Sequence, residues 1–342
     1  MTTPAAPLLI TGVAGFIGFH VARRCLALGH RVLGFDNVNP YYDPALKEAR
    51  IAQLATHPGF ALLRADLCDA EAVRGAVATP DIDTVIHLGA QPGVRYSREQ
   101  PRTYIDSNIV GFFNVLEACR ARAGTLRHLV FASTSSVYGA NTRMPLSTSD
   151  HTDHPLSLYA ATKKANEAMA HAYSHLYGIP TTGLRFFTVY GPWGRPDMAP
   201  MKFTRAILAG QSIDVYNHGH HQRDFTFVDD VAEAIHRVAG QPATPNPDWR
   251  GDAPDPASSR APYRIYNVGN GQPVQLLDFI QILERALGCR AQLNLRPLEP
   301  GDVADTLADS EPLAQAVGFR PQTPIERGVA QFVAWYRDYY RS

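Results

Sequence analysis

The chain has 342 residues, and its 32 basic side chains balance its 32 acidic ones. That length exceeds one small core and suits one large domain or two interleaved ones. The even charge provides no basic stripe for nucleic acid, and no window approaches the eighteen apolar residues of a membrane span, so neither is an expected partner. Cys25, Cys68, Cys119 and Cys289 are scattered without a C-x-x-C pair. Pro7 to Ile10 is too short for a signal segment, and a reduced, cytoplasmic protein is expected.

The first element is the apolar run Leu8-Leu9-Ile10, a short buried strand. Thr11-Gly12-Val13-Ala14-Gly15-Phe16-Ile17-Gly18 follows, with glycines three apart, and Phe16 to Leu28 has helical spacing closed by Gly29. Small residues at Gly12, Gly15 and Gly18 let backbone approach a pyrophosphate, and the helix start at Phe16 and Ile17 offers it N–H groups. A second strand, Arg31 to Phe35, ends in Asp36, eighteen residues past Gly18. An acid there takes the adenine ribose hydroxyls and repels a 2′-phosphate, so the expected cofactor is NAD.

Asp83 to Ala90 and Arg127 to Ser133 read as further buried strands, with helical spacing over Tyr104 to Ala121 between them. Tyr159 to Tyr177 is a second long helix, ended by Gly178-Ile179-Pro180, and Thr181 to Phe187 returns to strand. Alternation of this kind predicts an α/β fold, a Rossmann-type doubly wound parallel sheet with a smaller mixed α/β substrate-binding domain. Residues 1–189 form the NAD-binding unit, with returning segments near 226–240 and 264–270; residues 190–342 form the second. The Pro-, Asp- and Ser-rich stretch Gln241 to Pro262 reads as a long surface loop.

Tyr159 and Lys163 stand four apart, on one helix face. A tyrosine base working at pH 7 must lose about three units from ~10, roughly 4 kcal/mol, and a nearby ammonium supplies part of that. Fifteen tyrosines and four lysines give roughly 0.2 chance pairs at this spacing, so the pair counts only with its surroundings.

Those surroundings resemble a known family. The glycine turn, Asp36, Ser133-Thr134-Ser135-Ser136-Val137-Tyr138-Gly139 and Tyr-x-x-x-Lys are similar to extended short-chain dehydrogenases that act on nucleotide sugars. Asp36 to Asp43, Gln91-Pro92-Gly93-Val94-Arg95-Tyr96-Ser97, Arg185 to Met198, Val215 to Gly219 and Arg223 to Thr226 resemble the UDP-glucuronate 4-epimerases within it. The resemblance implies C4 epimerisation with bound NAD, Tyr159 as base, Lys163 beside it and Thr134 on the reacting hydroxyl. It implies cofactor contacts from Asn37, Asp66, Leu67, Gln91 and Asn108. It implies substrate contacts from Arg95, Tyr216, Arg223 and Asp302, and a homodimer formed through the two long helices. Glu299 stands where related epimerases carry a second phosphate arginine, and Arg296 is a candidate replacement.

Ser135 and Ser136 are neutral where dehydratases carry Asp-Glu and decarboxylases a Glu, so no elimination acid is present. A 4-keto uronate is a β-keto acid that loses CO₂ when its C5–C6 bond aligns with the carbonyl π system. Ser135, Ser136, Thr188 and Arg195 are the expected clamp against this, although Arg195 has a second available partner in Asp197. Neutral UDP-hexose epimerisation, oxidative decarboxylation and a non-catalytic NAD-binding scaffold are the competing readings. His218, His220 and His221 lack converging acidic or cysteine ligands, and no metal is expected.

Overall fold

The computed structural model describes residues 6–298, 303 and 305–341. Strands β1 (Leu8–Thr11), β2 (Val32–Asp36), β3 (Phe60–Arg64), β4 (Thr84–His87), β5 (His128–Thr134) and β6 (Thr181–Phe186) alternate with helices. The first three helices are α1 (Phe16–Ala27), α2 (Pro44–Ala55) and α3 (Ala70–Val77). Their starts are written locally: Pro44 occupies the first turn of α2 behind an Asp43 cap, and Asp69 caps α3. No side chain caps α1, whose N-cap is Gly15, so its first-turn N–H groups have no side-chain partner there.

The expected helix over Tyr104–Ala121 is present but not regular. Short turns α4 (Tyr96–Glu99) and α5 (Pro101–Tyr104) lead into a π-helical stretch, Ile105–Val110, before α6 (Gly111–Arg120). The wider turn points Asn108 inward, where it is 1% exposed and bonded to Gln91 and Thr162. The other long helix, α7 (Leu158–Tyr177), runs as expected from a Ser157 cap to a left-handed Gly178.

Beyond these lie β7 (Thr188–Tyr190), α8 (Ala199–Leu208), β8 (Ser212–Val215), β9 (Gln222–Phe227) and α9 (Val228–Ala239). The chain ends with β10 (Tyr263–Val268), β11 (Pro273–Gln275), α10 (Leu276–Leu287), β12 (Gln292–Leu295), α11 (Glu311–Val317) and α12 (Ile325–Tyr340). The central sheet is parallel in the order β3-β2-β1-β4-β5-β6-β10. Strand order reverses between β1 and β4, and the crevice above that point is where such sheets bind ligands. One apolar core joins α1 and α9 beneath the sheet, a second joins α3, α6 and α7 on its other face. A third lies among α8, α10 and α12. Residues 241–262 contain only isolated bridges, in keeping with the expected loop.

A buried ion pair locks β5, β6 and α7 together. Glu167 accepts from Arg185 Nε and Nη2 at 2.9 and 3.0 Å and from Ser133 Oγ at 2.7 Å. Their side chains are 4% and 1% exposed, so the pair is costly to break from one side. It fixes the carboxyl end of β5, from which Thr134, Ser135 and Ser136 emerge.

Candidate active site

A cavity of about 390 Å³ opens above the carboxyl ends of the strands. Its dinucleotide end is the turn after β1. Gly12 has φ +71°, and a Cβ there would sit 2.6 Å from Gly89 N; one on Gly18 would sit 2.1 Å from Gly12 O. Only bare glycine backbone permits this packing, so the surface left open fits a pyrophosphate. Asp36 ends β2 beside the turn, accepting from Ala14 N at 2.9 Å and Val38 N at 2.8 Å. Asn37 donates to Asp66 at 2.6 Å, and both line the cavity with Leu67, Phe16 and Ile17. An acid at the end of β2 and apolar walls beside it fit an adenosine.

Gln91 and Asn108 are placed differently from expectation. Both are buried, and neither is among the cavity-lining residues. The Asn108 amide instead bonds both backbone groups of Gln91, at 2.7 and 3.1 Å, and Thr162 at 3.1 Å. It fastens the loop after β4 to α7. Lys47, Asn39, Tyr41 and Tyr42 line the cavity although the sequence reading did not single them out. Lys47 donates to Asn39 O and Oδ1 at 2.8 and 2.6 Å. Its being one of only four lysines was the available signal.

At the other end Tyr159, Lys163, Thr134, Ser135, Ser136, Thr188 and Arg195 share the wall. Ser136 N and Oγ each lie 3.2 Å from Thr134 Oγ1, which caps the turn over Ser135–Tyr138. Burial raises the pKa of the Tyr159 phenol; the Thr134 hydroxyl and then the Arg195 charge pull it down. The sequence reading gave that cationic role to Lys163. Lys163 Nζ donates to Ala132 O at 2.9 Å, and burial lowers its pKa to about 8, against the pull of Glu167.

Arg195 is not a surface residue. Its Nε and Nη2 bond the two oxygens of Asp197 at 3.0 and 2.5 Å, with side chains 21% and 27% exposed. Tyr41 Oη donates to the same carboxylate at 3.0 Å. The pairing with Asp197 thus occurs inside the cavity wall, where it orients the guanidinium.

Arg95, Tyr216 and Arg223 lie outside the lining of this cavity. The Arg95 guanidinium stacks 4.3 Å from the centre of the Tyr216 ring, joining two predicted contacts to each other. Arg223 Nη2 donates to Val303 O at 2.5 Å, holding the segment that follows Asp302. Asp302 and Glu299 fall outside the described residues. Among the described residues no group of three or more His, Cys, Asp or Glu side chains is placed to hold a metal.

Comparison with known proteins places this geometry. The model of the NAD dependent epimerase/dehydratase family matches residues 8–269. A probable UDP-glucuronate 4-epimerase of Rhizobium meliloti is 50% identical over 97% of both chains. UDP-glucuronate 4-epimerase 4 of Arabidopsis thaliana is 45% identical over 99% of this chain and 77% of its own length. The crystal structure of a UDP-glucuronic acid 4-epimerase from Bacillus cereus, in complex with UDP-glucuronic acid and NAD, superposes with a TM-score of 0.85. That protein is 29% identical, over 98% of this chain and 100% of its own. The chain belongs to the NAD dependent epimerase/dehydratase family.

Proposed function

We propose that this protein interconverts UDP-glucuronate and UDP-galacturonate by epimerisation at C4, with NAD retained through the cycle. One observation carries the reading: the glycine turn, the Tyr159–Thr134 pair and Arg195 line a single cavity. Tyr159, as phenolate, takes the proton of the C4 hydroxyl, and Thr134 orients that hydroxyl. When bound, NAD supplies the hydride acceptor at C4. The keto sugar turns over in the cavity, so that the hydride held by bound NAD would return to the opposite face of C4 while the Tyr159 phenol gives its proton back to the C4 oxygen. Lys163 holds the dinucleotide ribose. Residues 1–189, with returns near 226–240 and 264–270, form the NAD-binding unit; residues 190–342 carry the UDP-sugar contacts Tyr216, Arg223 and Asp302, and Arg95 of the first unit joins them.

Neutral Ser135 and Ser136 offer no acid for elimination, so the ketone keeps its substituents. With Thr188 and Arg195 they clamp the C6 carboxylate away from the geometry that releases CO₂. Asp197 occupies Nε and Nη2 of Arg195 and leaves Nη1 directed by the same rigid fork.

Ile105, Val110 and Phe113 are 38%, 40% and 45% exposed, and Leu176 and Tyr177 at the end of α7 are 66% and 39% exposed. Glu117 of α6 accepts from Tyr173 of α7, so the two helices lie side by side. This apolar ridge supports a homodimer through the helix pair. Four free thiols support a cytoplasmic location, to be checked by cell fractionation.

NMR of the purified protein with UDP-glucuronate and no added NAD should show UDP-galacturonate. Tyr159→Phe should lower that rate by roughly 10²–10⁴; a pentose product, or full activity without the phenol, would overturn the assignment. Arg195→Ala should cost on the order of tenfold more on UDP-glucuronate than on UDP-glucose, the weight of one charge-assisted hydrogen bond. The phenol effect of Arg195 is common to both substrates, so equal losses would remove it from the clamp. Light scattering should give twice the chain mass, and Phe113→Asp should halve it; a monomeric wild type would refute the helix-pair dimer.

A further inference from the structure

Arg50, on α2, is fully buried, and its two terminal nitrogens reach two separate parts of the chain. Nη1 donates to Ala14 O at 2.8 Å and to Tyr42 Oη at 2.6 Å. Nη2 donates to Trp193 O at 2.6 Å and, more weakly, to Gly194 O at 3.3 Å. All four acceptors are neutral, and Nε is without a partner. Ala14 lies inside the glycine turn, between Gly12 and Gly15. Trp193 and Gly194 immediately precede Arg195.

A second buried side chain grips the same loop. His20, on α1, faces Asp229 Oδ1 through Nδ1 at 2.8 Å and Pro192 O through Nε2 at 2.9 Å. The carbonyls of residues 192, 193 and 194 are therefore all held by side chains of α1 and α2. The loop is also strained: Trp193 has φ +61°, a left-handed conformation that a bulky residue keeps only when its surroundings impose it. Its ring is wedged between Phe19, at 5.5 Å, and Trp335, at 5.3 Å. Burying a guanidinium among neutral oxygens is not favoured by stability alone, since an apolar side chain of similar volume serves a core as well or better. What a planar fork does, and an apolar chain cannot, is fix the distance between two backbones.

We propose that Arg50, with His20 in parallel, is a positioning residue that ties the loop before Arg195 to the glycine turn. The tie sets the Arg195 guanidinium at a fixed depth relative to the dinucleotide, and so relative to the sugar carbon that meets it. This inference rests on the reading of Arg195 as part of the carboxylate clamp. Its consequence is on product identity: a slack loop loosens the clamp, and the keto intermediate leaks CO₂.

The test compares wild type, Arg50→Lys and Arg195→Ala, each isolated as folded protein with bound NAD. Lysine keeps the charge, but one ammonium cannot span both backbones. NMR reads the ratio of UDP-pentose to UDP-galacturonate, and hydrogen exchange reads the amides of residues 192–198 and 12–18. Arg50→Lys is expected to raise the pentose ratio on the order of tenfold, the weight of one charge-assisted hydrogen bond. Exchange should quicken at 192–198 and stay unchanged at 12–18. Simple loss of folded enzyme lowers both products together and leaves the ratio alone. A wild-type ratio in Arg50→Lys, with a raised one in Arg195→Ala, overturns the proposal. If Arg195→Ala also keeps the wild-type ratio, the clamp reading fails and exchange decides: unchanged rates at 192–198 overturn the tie, quickened rates uphold it. Should Arg50→Lys not fold, His20→Leu is measured and judged in the same way.

Discussion

Burial raises the pKa of the Tyr159 phenol, while the chemistry assigned to it needs the ionised form. A free phenol already stands about three units, or roughly 4 kcal/mol, above neutrality. The site is built around that opposition. The Thr134 hydroxyl and the Arg195 charge both favour phenolate, and each is held by structure behind it. Thr134 ends β5, whose position is pinned through Ser133, Glu167 and Arg185. Arg195 is aimed by Asp197, and Asp197 in turn accepts from Tyr41. Lys163 carries the opposite burden. Holding its charge in the wall lowers its pKa from 10.5 to about 8, on the order of 3 kcal/mol against the folded state near neutral pH.

The same arrangement separates two jobs along one cavity. It is lined by bare glycine backbone with Asp36 and Asp66, suited to a dinucleotide, and by hydroxyls with the Arg195 guanidinium, suited to an acidic sugar; the Tyr159 phenol lines the same cavity. On the proposed reading Arg195 serves both the phenol and the substrate carboxylate, which links acid–base work to substrate selection electrostatically. An epimerase for neutral hexoses needs only the first of these.

Local chemistry was legible in the sequence. The glycine turn, the acid at the end of β2, the Gly178 stop of α7 and the Tyr159–Lys163 spacing each depend on residues near one another in the chain, and the structure places all of them as expected. The alternating strands carried the sheet as well, except for the edge strand β3, which the sequence analysis did not name. What escaped were contacts between distant segments. Tyr41 meets Asp197 across 156 positions, and Arg50 meets Trp193 across 143, with nothing local to announce either. The π-helical stretch before α6 was hidden for another reason: apolar spacing survives one widened turn, so periodicity could not expose the inward Asn108. Spacing on a helix fixes where the Lys163 backbone stands and not where its ammonium points, which here is to Ala132 O; the Arg195 charge that also acts on the phenol comes from a distant segment.

The central claim is that the phenol moves only the hydroxyl proton, while the hydrogen on C4 leaves and returns as a hydride sealed from water. UDP-glucuronate carrying deuterium at C4, converted in ordinary water, tests this directly. The account predicts UDP-galacturonate with the label still on C4. Product in which solvent hydrogen has replaced it would contradict the account.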